Sequence, residues 1–337
     1  MKASLGIILI CFMAMPSLAS DTEVDSLYQS ALARMNVIEP KKSVDEFKRV
    51  LKKDGKYAPA LAQLTRLYIR LNTVEFRRRA VEVSEKAMRI EPENLRYQLL
   101  HGEALWNRGF QREAKAHYDR VIAKFPNAAD AAYDAGRQIF GEYMITRDRV
   151  LERQEAIRSF AVEEYRQAVM FLEKSLEIDS AHKDAYYLLG LAHLEHGKVK
   201  LMQEVLDRMM NKFPEDASAR LFLAHSYQIQ GQLLEANKLY EQAIAAMNAE
   251  ERKMMESVDL IASEEDNARI AKAMEATDGD GRENSDALQR FWNQNNPLHL
   301  TGHNERRMEH YGRVAYANLR FSVPSRNIEG WKTVRGQ

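Results

Sequence analysis

LRYQLLHGEALWNRGFQREAKAHYDRVIAKFPNA, residues 95–128, reads as two antiparallel helices that must pack closely. Gly102 and Ala114 are the small residues that permit the approach, and Leu99 and Tyr118 fall near the same seam. Asn107, Arg108 and Gly109 read as an exposed turn between the helices. Pro126 then ends the second helix, because proline lacks the amide hydrogen that would continue it and clashes with the preceding turn.

The same register runs along most of the chain. Its units are 24–57, 58–94, 95–128, 129–182, 183–216 and 217–250. In the fifth the matching residues are Tyr186, Leu189, Gly190 and Pro214; in the sixth they are Leu223, Ala224, Tyr227, Ala236 and Tyr240. The first fits through Ala31, Ser43, Phe47 and Val50, with Gly55 at the proline position. The second fits through Leu64, Tyr68, Ala80 and Pro92 if a few residues near Thr73 are inserted between its helices. The fourth needs a longer insertion, since Tyr133 and Gly136 open it while Ala168 and Leu172 belong to its second helix. The stretch 141–165 is charged and free of proline, so it reads as helix extension or an added helix.

A 34-residue sentence with small, aromatic and proline residues at these places resembles the tetratricopeptide repeat (TPR) family. The resemblance implies an all-α, TPR-type helical-hairpin solenoid, a right-handed superhelix of about six repeats with the fourth carrying a long insertion. A small, mainly helical C-terminal module is expected to follow. In this family the second, fifth, ninth and twelfth positions of each inner helix commonly face a ligand. Carried over, that pattern gives a protein-binding groove of Tyr28, Arg66, Glu103, Trp106, Tyr133, Arg137, Phe140, Tyr187 and His225. A groove so rich in aromatics suits an extended peptide or a helix. Packing between inner helices is the competing role, expected above all for Tyr28, Phe140 and Tyr187, while Trp106 is the expected ligand contact. The lysine and asparagine clamp by which one subclass grips a terminal carboxylate is not present at the corresponding positions.

Residues 1–20 have a different composition. Lys2, the apolar run SLGIILICFMAM, Pro16 and the small-residue stretch SLAS read as a secretory signal peptide cleaved after Ala19 or Ser20. An uncleaved anchor is the alternative, but the run is shorter than the roughly twenty residues of a spanning helix; Ile10 before Cys11 argues against a lipobox. Cys11 is the only cysteine, so the chain expected after cleavage has no thiol chemistry. No transmembrane segment is expected in that mature chain. The 49 basic and 49 acidic residues balance, which disfavours nucleic acid as a partner because phosphate neutralisation supplies most of that affinity. The expected location is outside the cytoplasm, the periplasm first and the extracellular space second.

After Glu250 the repeat rhythm stops. The segment 251–337 contains MESVDLIASEE at 255–265, Phe291 and Trp292 with Pro297 following, NERRMEHYGRVAYANLRF at 304–321, and GWKTVRG at 330–336. These ordered pieces resemble the GWxTD domain of bacterial exported proteins, through Phe291, Trp292, Gly330, Trp331, Thr333, Arg335 and Gly336. Val334 stands where the family has aspartate, and relatives run on beyond the point at which this sequence stops, so the domain reads as truncated or incomplete. Asn304 can cap a helix whose residues Met308, Tyr311, Val314, Ala315, Asn318 and Leu319 keep a helical period. Phe291, Trp292 and Trp331 are then expected to close a small core over it.

Little here points to catalysis. His299, His303 and His310, with Glu305 and Glu309, are the only cluster resembling a metal or acid/base site, but Thr301-Gly302 reads as a turn that breaks the helix face. DGDGRENSD at 278–286 resembles a calcium loop, yet Arg282 stands where an oxygen ligand is needed, so the segment reads as a linker. No nucleophile elbow, Walker loop, HExxH or dinucleotide fingerprint occurs. No catalytic residue, metal or cofactor is expected. Three functions stay open: an exported, non-enzymatic TPR adaptor with a protein or peptide in its groove, an envelope assembly or secretion component acting through the GWxTD-like tail, and a metal-dependent enzyme using the histidine-rich tail.

Overall fold

The computed structural model describes residues 18–35, 39–151, 158–259, 261–275, 282–294, 296 and 303–322. Among these there are sixteen helices and no strand. They fall into two compact units divided between Phe125 and Pro126. Each unit contains three helical hairpins, so the all-α helical-hairpin solenoid is the observed fold class.

The first unit runs α1 (Leu18–Met35), α2 (Pro40–Lys53), α3 (Ala58–Leu71), α4 (Val74–Ile90), α5 (Leu95–Arg108) and α6 (Gln111–Lys124). Local chemistry sets the helix ends. Asn94 caps α5 by accepting from the Arg96 amide, and Gly109 takes φ 91°, a left-handed conformation that costs glycine little, to turn the chain into α6. α1 runs through Ala19 and Ser20, the expected cleavage site; residues 1–17, including Cys11, lie outside the described residues.

One expectation is corrected in the second repeat. The extra residues near Thr73 do not lengthen the connection, which is Asn72 and Thr73 alone; they lengthen α4 to 17 residues against 14 in α6. Thr73 supplies the cap by accepting from the Phe76 amide at 3.3 Å, and the Phe76 ring stacks on Tyr68 at 5.2 Å. A capped turn anchored by an aromatic contact is more stable than the same residues left as loop.

The second unit holds the hairpins α7 (Ala129–Leu151) with α8 (Arg158–Ile178), α9 (Lys183–Glu195) with α10 (Val199–Lys212), and α11 (Ala217–Ile229) with α12 (Leu233–Ala246). The long insertion of the fourth repeat is helix extension at both sides: α7 has 23 residues and α8 has 21, with 152–157 outside the described residues. Then come α13 (Ala249–Glu256), α14 (Glu264–Glu275), α15 (Arg282–Gln294) and α16 (Glu305–Phe321). Of these, α16 packs into the unit, against α9, α11, α12 and α13.

Within hairpins, glycines mark the closest approaches. A Cβ at Gly102 would lie 2.7 Å from Cζ of the fully buried Tyr118, and one at Gly136 would lie 2.8 Å from Cγ of Leu172, whereas at Gly190 the nearest atom, of Leu206, is 3.8 Å away. These differ enough to test. Gly102→Ala is expected to destabilise by about 1–3 kcal/mol through overpacking against a rigid ring. Gly190→Ala is expected to be neutral or to stabilise by up to about 1 kcal/mol through helix propensity. Thermal and urea unfolding of the two variants would separate them.

Candidate protein-binding groove

In the first unit the expected lining residues have unlike surroundings. Tyr28, half-buried, packs with its ring 6.0 Å from Phe47 and 5.3 Å from Tyr57. Arg66 is exposed and Glu103 half-buried. Trp106 is only 7% exposed, and the Lys115 ammonium lies 5.9 Å from its ring centre. The turn after it is exposed at Gly109 and Phe110, but the indole is not, so its place is that of a core side chain rather than an open contact.

In the second unit, Tyr133 is half-buried with its ring 4.8 Å from His182, Arg137 pairs with Asp134 at 3.2 Å, and Phe140 is 6% exposed beside Tyr143. The Tyr187 hydroxyl donates to Asp216 Oδ1 at 2.7 Å, and its ring meets Phe222 edge-on at 5.4 Å. Asp216 also caps α11 by accepting from the Ala219 amide. Tyr187 is thereby fixed between two inner helices.

At the groove positions of α11 the surface is already covered, by α16. Asn304 caps that helix by accepting from the Arg307 amide at 3.0 Å, as its sequence suggests, and Met308, Tyr311 and Ala315 are buried, with Val314 and Leu319 packed beside them. These residues join Tyr187, Leu194, Leu221, Phe222 and Tyr240 in one apolar cluster. Gly312 faces His225 and Gln228, the ninth and twelfth positions of α11; a Cβ there would lie 3.1 Å from His225 Nδ1 and closer still to Gln228. Arg307 pairs with Glu241 of α12 at 3.1 Å, and His310 Nε2 lies 3.1 Å from the Met255 carbonyl oxygen of α13.

At its other end α16 reaches α9 through charge. The Tyr316 hydroxyl donates to Glu195 Oε1 at 2.9 Å, and Arg320 pairs with the same oxygen at 3.0 Å. Arg147 of α7 pairs with the other carboxylate oxygen, and the Glu195 side chain is 4% exposed. One buried carboxylate thus ties α7, α9 and α16. Sequence reasoning missed Glu195, Arg147, Tyr316 and Arg320. A signal was present: an acidic residue in the last turn of α9 opposes the helix dipole, and such a position implies compensating cations.

Phe291 and Trp292 are 4% and 1% exposed and form a small core with Val258, Ile261, Ala262, Ile270 and Leu288. The Asn304 side-chain amide donates to the Trp292 carbonyl at 2.6 Å, and the indole lies 5.4 Å from the His310 ring, which joins this core to the start of α16. Gly330, Trp331, Thr333, Arg335 and Gly336 lie outside the described residues, as do His299, Pro297, Asp278 and Asp280. His303 is 3.9 Å from Glu305, while His310 faces Met255. Among the described residues no group of three or more His, Cys, Asp or Glu side chains is arranged to hold a metal ion, and no helix is long and apolar enough to cross a membrane.

A tetratricopeptide repeat family model matches residues 184–216, the α9–α10 hairpin. Solved structures are similar in part. PilW, a type IV pilus biogenesis factor, is 17% identical over 72% of this chain and 100% of its own, with a TM-score of 0.46. Pseudomonas aeruginosa PilF is 15% identical over 70% and 97%, with a TM-score of 0.45, and MamA is 20% identical over 53% and 92%, with a TM-score of 0.38. At these levels the likenesses carry no functional argument. No curated protein sequence matches the chain.

Burial under α16 lowers the His225 pKa from its ordinary 6.5 to about 4. His101 and His193 are likewise held at about 4, first by burial. The unfolded chain therefore binds these protons first, and the part of the stability that these histidines set, complete above about pH 7, falls as pH drops through 6.5 toward 4. Each histidine contributes up to about 1.4 kcal/mol per pH unit in that window. Urea midpoints at pH 7 and pH 5 should differ in the native chain and differ less in His225→Gln; an equal drop in both would contradict the assignment.

Proposed function

We propose that this chain is an exported, non-catalytic scaffold that holds a protein or peptide on the inner faces of its helical hairpins. The observation that carries the reading is α16: groove positions of α11 and the end of α9 receive an amphipathic helix in the structure itself. A surface that seats one helix by apolar burial plus terminal charge is built for helix-in-groove recognition. The inner-face positions at least partly exposed are Arg66 and Glu103 in the first unit and, separately, Tyr133 and Arg137 in the second, while Tyr28, Trp106, Phe140 and Tyr187 serve packing. The leader 1–20 directs export, with the periplasm as destination, the array spans 21–250, and 251–337 is a GWxTD-like module.

A second reading has its own support. The Phe291–Trp292 core and α16 give the described part of the tail a packed structure within the second unit, which suits an envelope assembly or secretion component acting through that module.

Affinity capture from envelope extract, with the mature chain as bait, tests both. Tyr133→Ala with Arg137→Ala, both on α7, is expected to weaken a groove partner by about 2 kcal/mol, roughly thirtyfold. Trp106→Ala is expected instead to lower stability by about 3–5 kcal/mol, as a buried aromatic does. Retention of every partner by the double variant, with loss only when 251–337 is deleted, would transfer the function to the tail.

A further inference from the structure

The seat of α16 has the chemistry of an exchangeable ligand site. Its centre is a small-residue crossing, where Gly312 lies against His225 and Gln228. Its flanks are apolar, through Met308, Tyr311 and Ala315. Its far end is an anion, Glu195, that α16 meets with Arg320 two turns beyond the glycine. The fit is also incomplete: Arg307 Nε, on the guanidinium that lies over the Tyr311 ring, is buried without a hydrogen-bond partner. Unmet buried polar atoms weaken a contact, and they leave room for a better-matched helix to displace the resident one.

We propose that α16 is an internal competitor for this site, and that the scaffold's partner presents an amphipathic helix carrying a small residue at the crossing and a basic residue about two turns later. This deepens the scaffold reading and rests on it. The partner helix would place its small residue over His225 and Gln228 and its cation on Glu195, taking the position of Arg320. Arg147 stays paired with Glu195 in either state, so the carboxylate keeps a counter-charge while the exchange proceeds. The occupant is identified by charge: the seat offers a buried carboxylate, so an acidic helix is excluded by repulsion and by the desolvation of an unpaired charge.

The test uses the full chain and a fluorescent peptide of residues 303–322 as the probe. Two chain variants loosen α16 without altering α9 or α11: Gly312→Leu, which clashes with His225 and Gln228, and Arg320→Glu, which repels Glu195. By fluorescence anisotropy, both are expected to bind the peptide at least tenfold more tightly than the native chain, which competes through its own α16. Adding Glu195→Gln to Arg320→Glu is expected to reverse most of that gain. Equal peptide affinity for the native chain and Arg320→Glu, with native helicity by circular dichroism, would overturn the proposal, and Arg320→Glu carries the test if Gly312→Leu fails to fold. A dimer formed by the variants, with the helix of one copy on the other, would also overturn it in favour of exchange between copies. If the peptide test fails while the native chain still captures a partner sensitive to Tyr133→Ala with Arg137→Ala, only the exchange is wrong; if capture fails as well, the scaffold reading falls with it.

Discussion

Close approach of paired helices is the constraint on which the structure depends. Gly102 under Tyr118 and Gly136 under Leu172 let the two helices of a hairpin touch where any side chain would collide. Once the hairpins are that tight, the outer helices bury their apolar stripes against the inner ones, and the far faces of the inner helices are left to carry polar and aromatic groups. Gly312 repeats the device at a third surface, bringing α16 onto α11. The same steric rule that builds the array therefore also builds its occupant's seat.

Charge sets the register that packing alone leaves free. An apolar helix face slides on an apolar groove at little cost, but Arg320 and Tyr316 can meet Glu195 in only one position. At the opposite end Arg307 on Glu241 and His310 on the Met255 carbonyl fix the start of the helix. Between these pins the buried Met308, Tyr311 and Ala315 supply the stabilisation, about 1.5–3 kcal/mol for each large side chain fully removed from water.

Much of this was legible in the sequence, for reasons specific to each element. α3, α5, α7, α9 and α11 begin at Ala58, Leu95, Ala129, Lys183 and Ala217, the residues at which the repeat register begins, because small residues and prolines act locally on helix packing and helix ends. The cap at Asn304 and the apolar face of α16 were equally local. What the sequence did not disclose was tertiary. Nothing in GRVAYANLRF says that its apolar face meets α11 rather than the Phe291–Trp292 core, and Glu195 looks like an ordinary surface acid until Arg147 and Arg320, 48 residues before it and 125 after it, converge on it. Trp106 shows the same limit from the other side: the turn beside it is exposed, but burial of a large ring is decided by the neighbours it meets in space.

Hydrogen–deuterium exchange on the full chain, native against Gly312→Leu, tests the central claim that α16 is seated on α9 and α11. In the variant, 305–321 and the C-terminal halves of α9 and α11 are expected to lose protection together, while α3 and α5 are unchanged. Loss of protection in 305–321 alone, with α9 and α11 as protected as before, would contradict it.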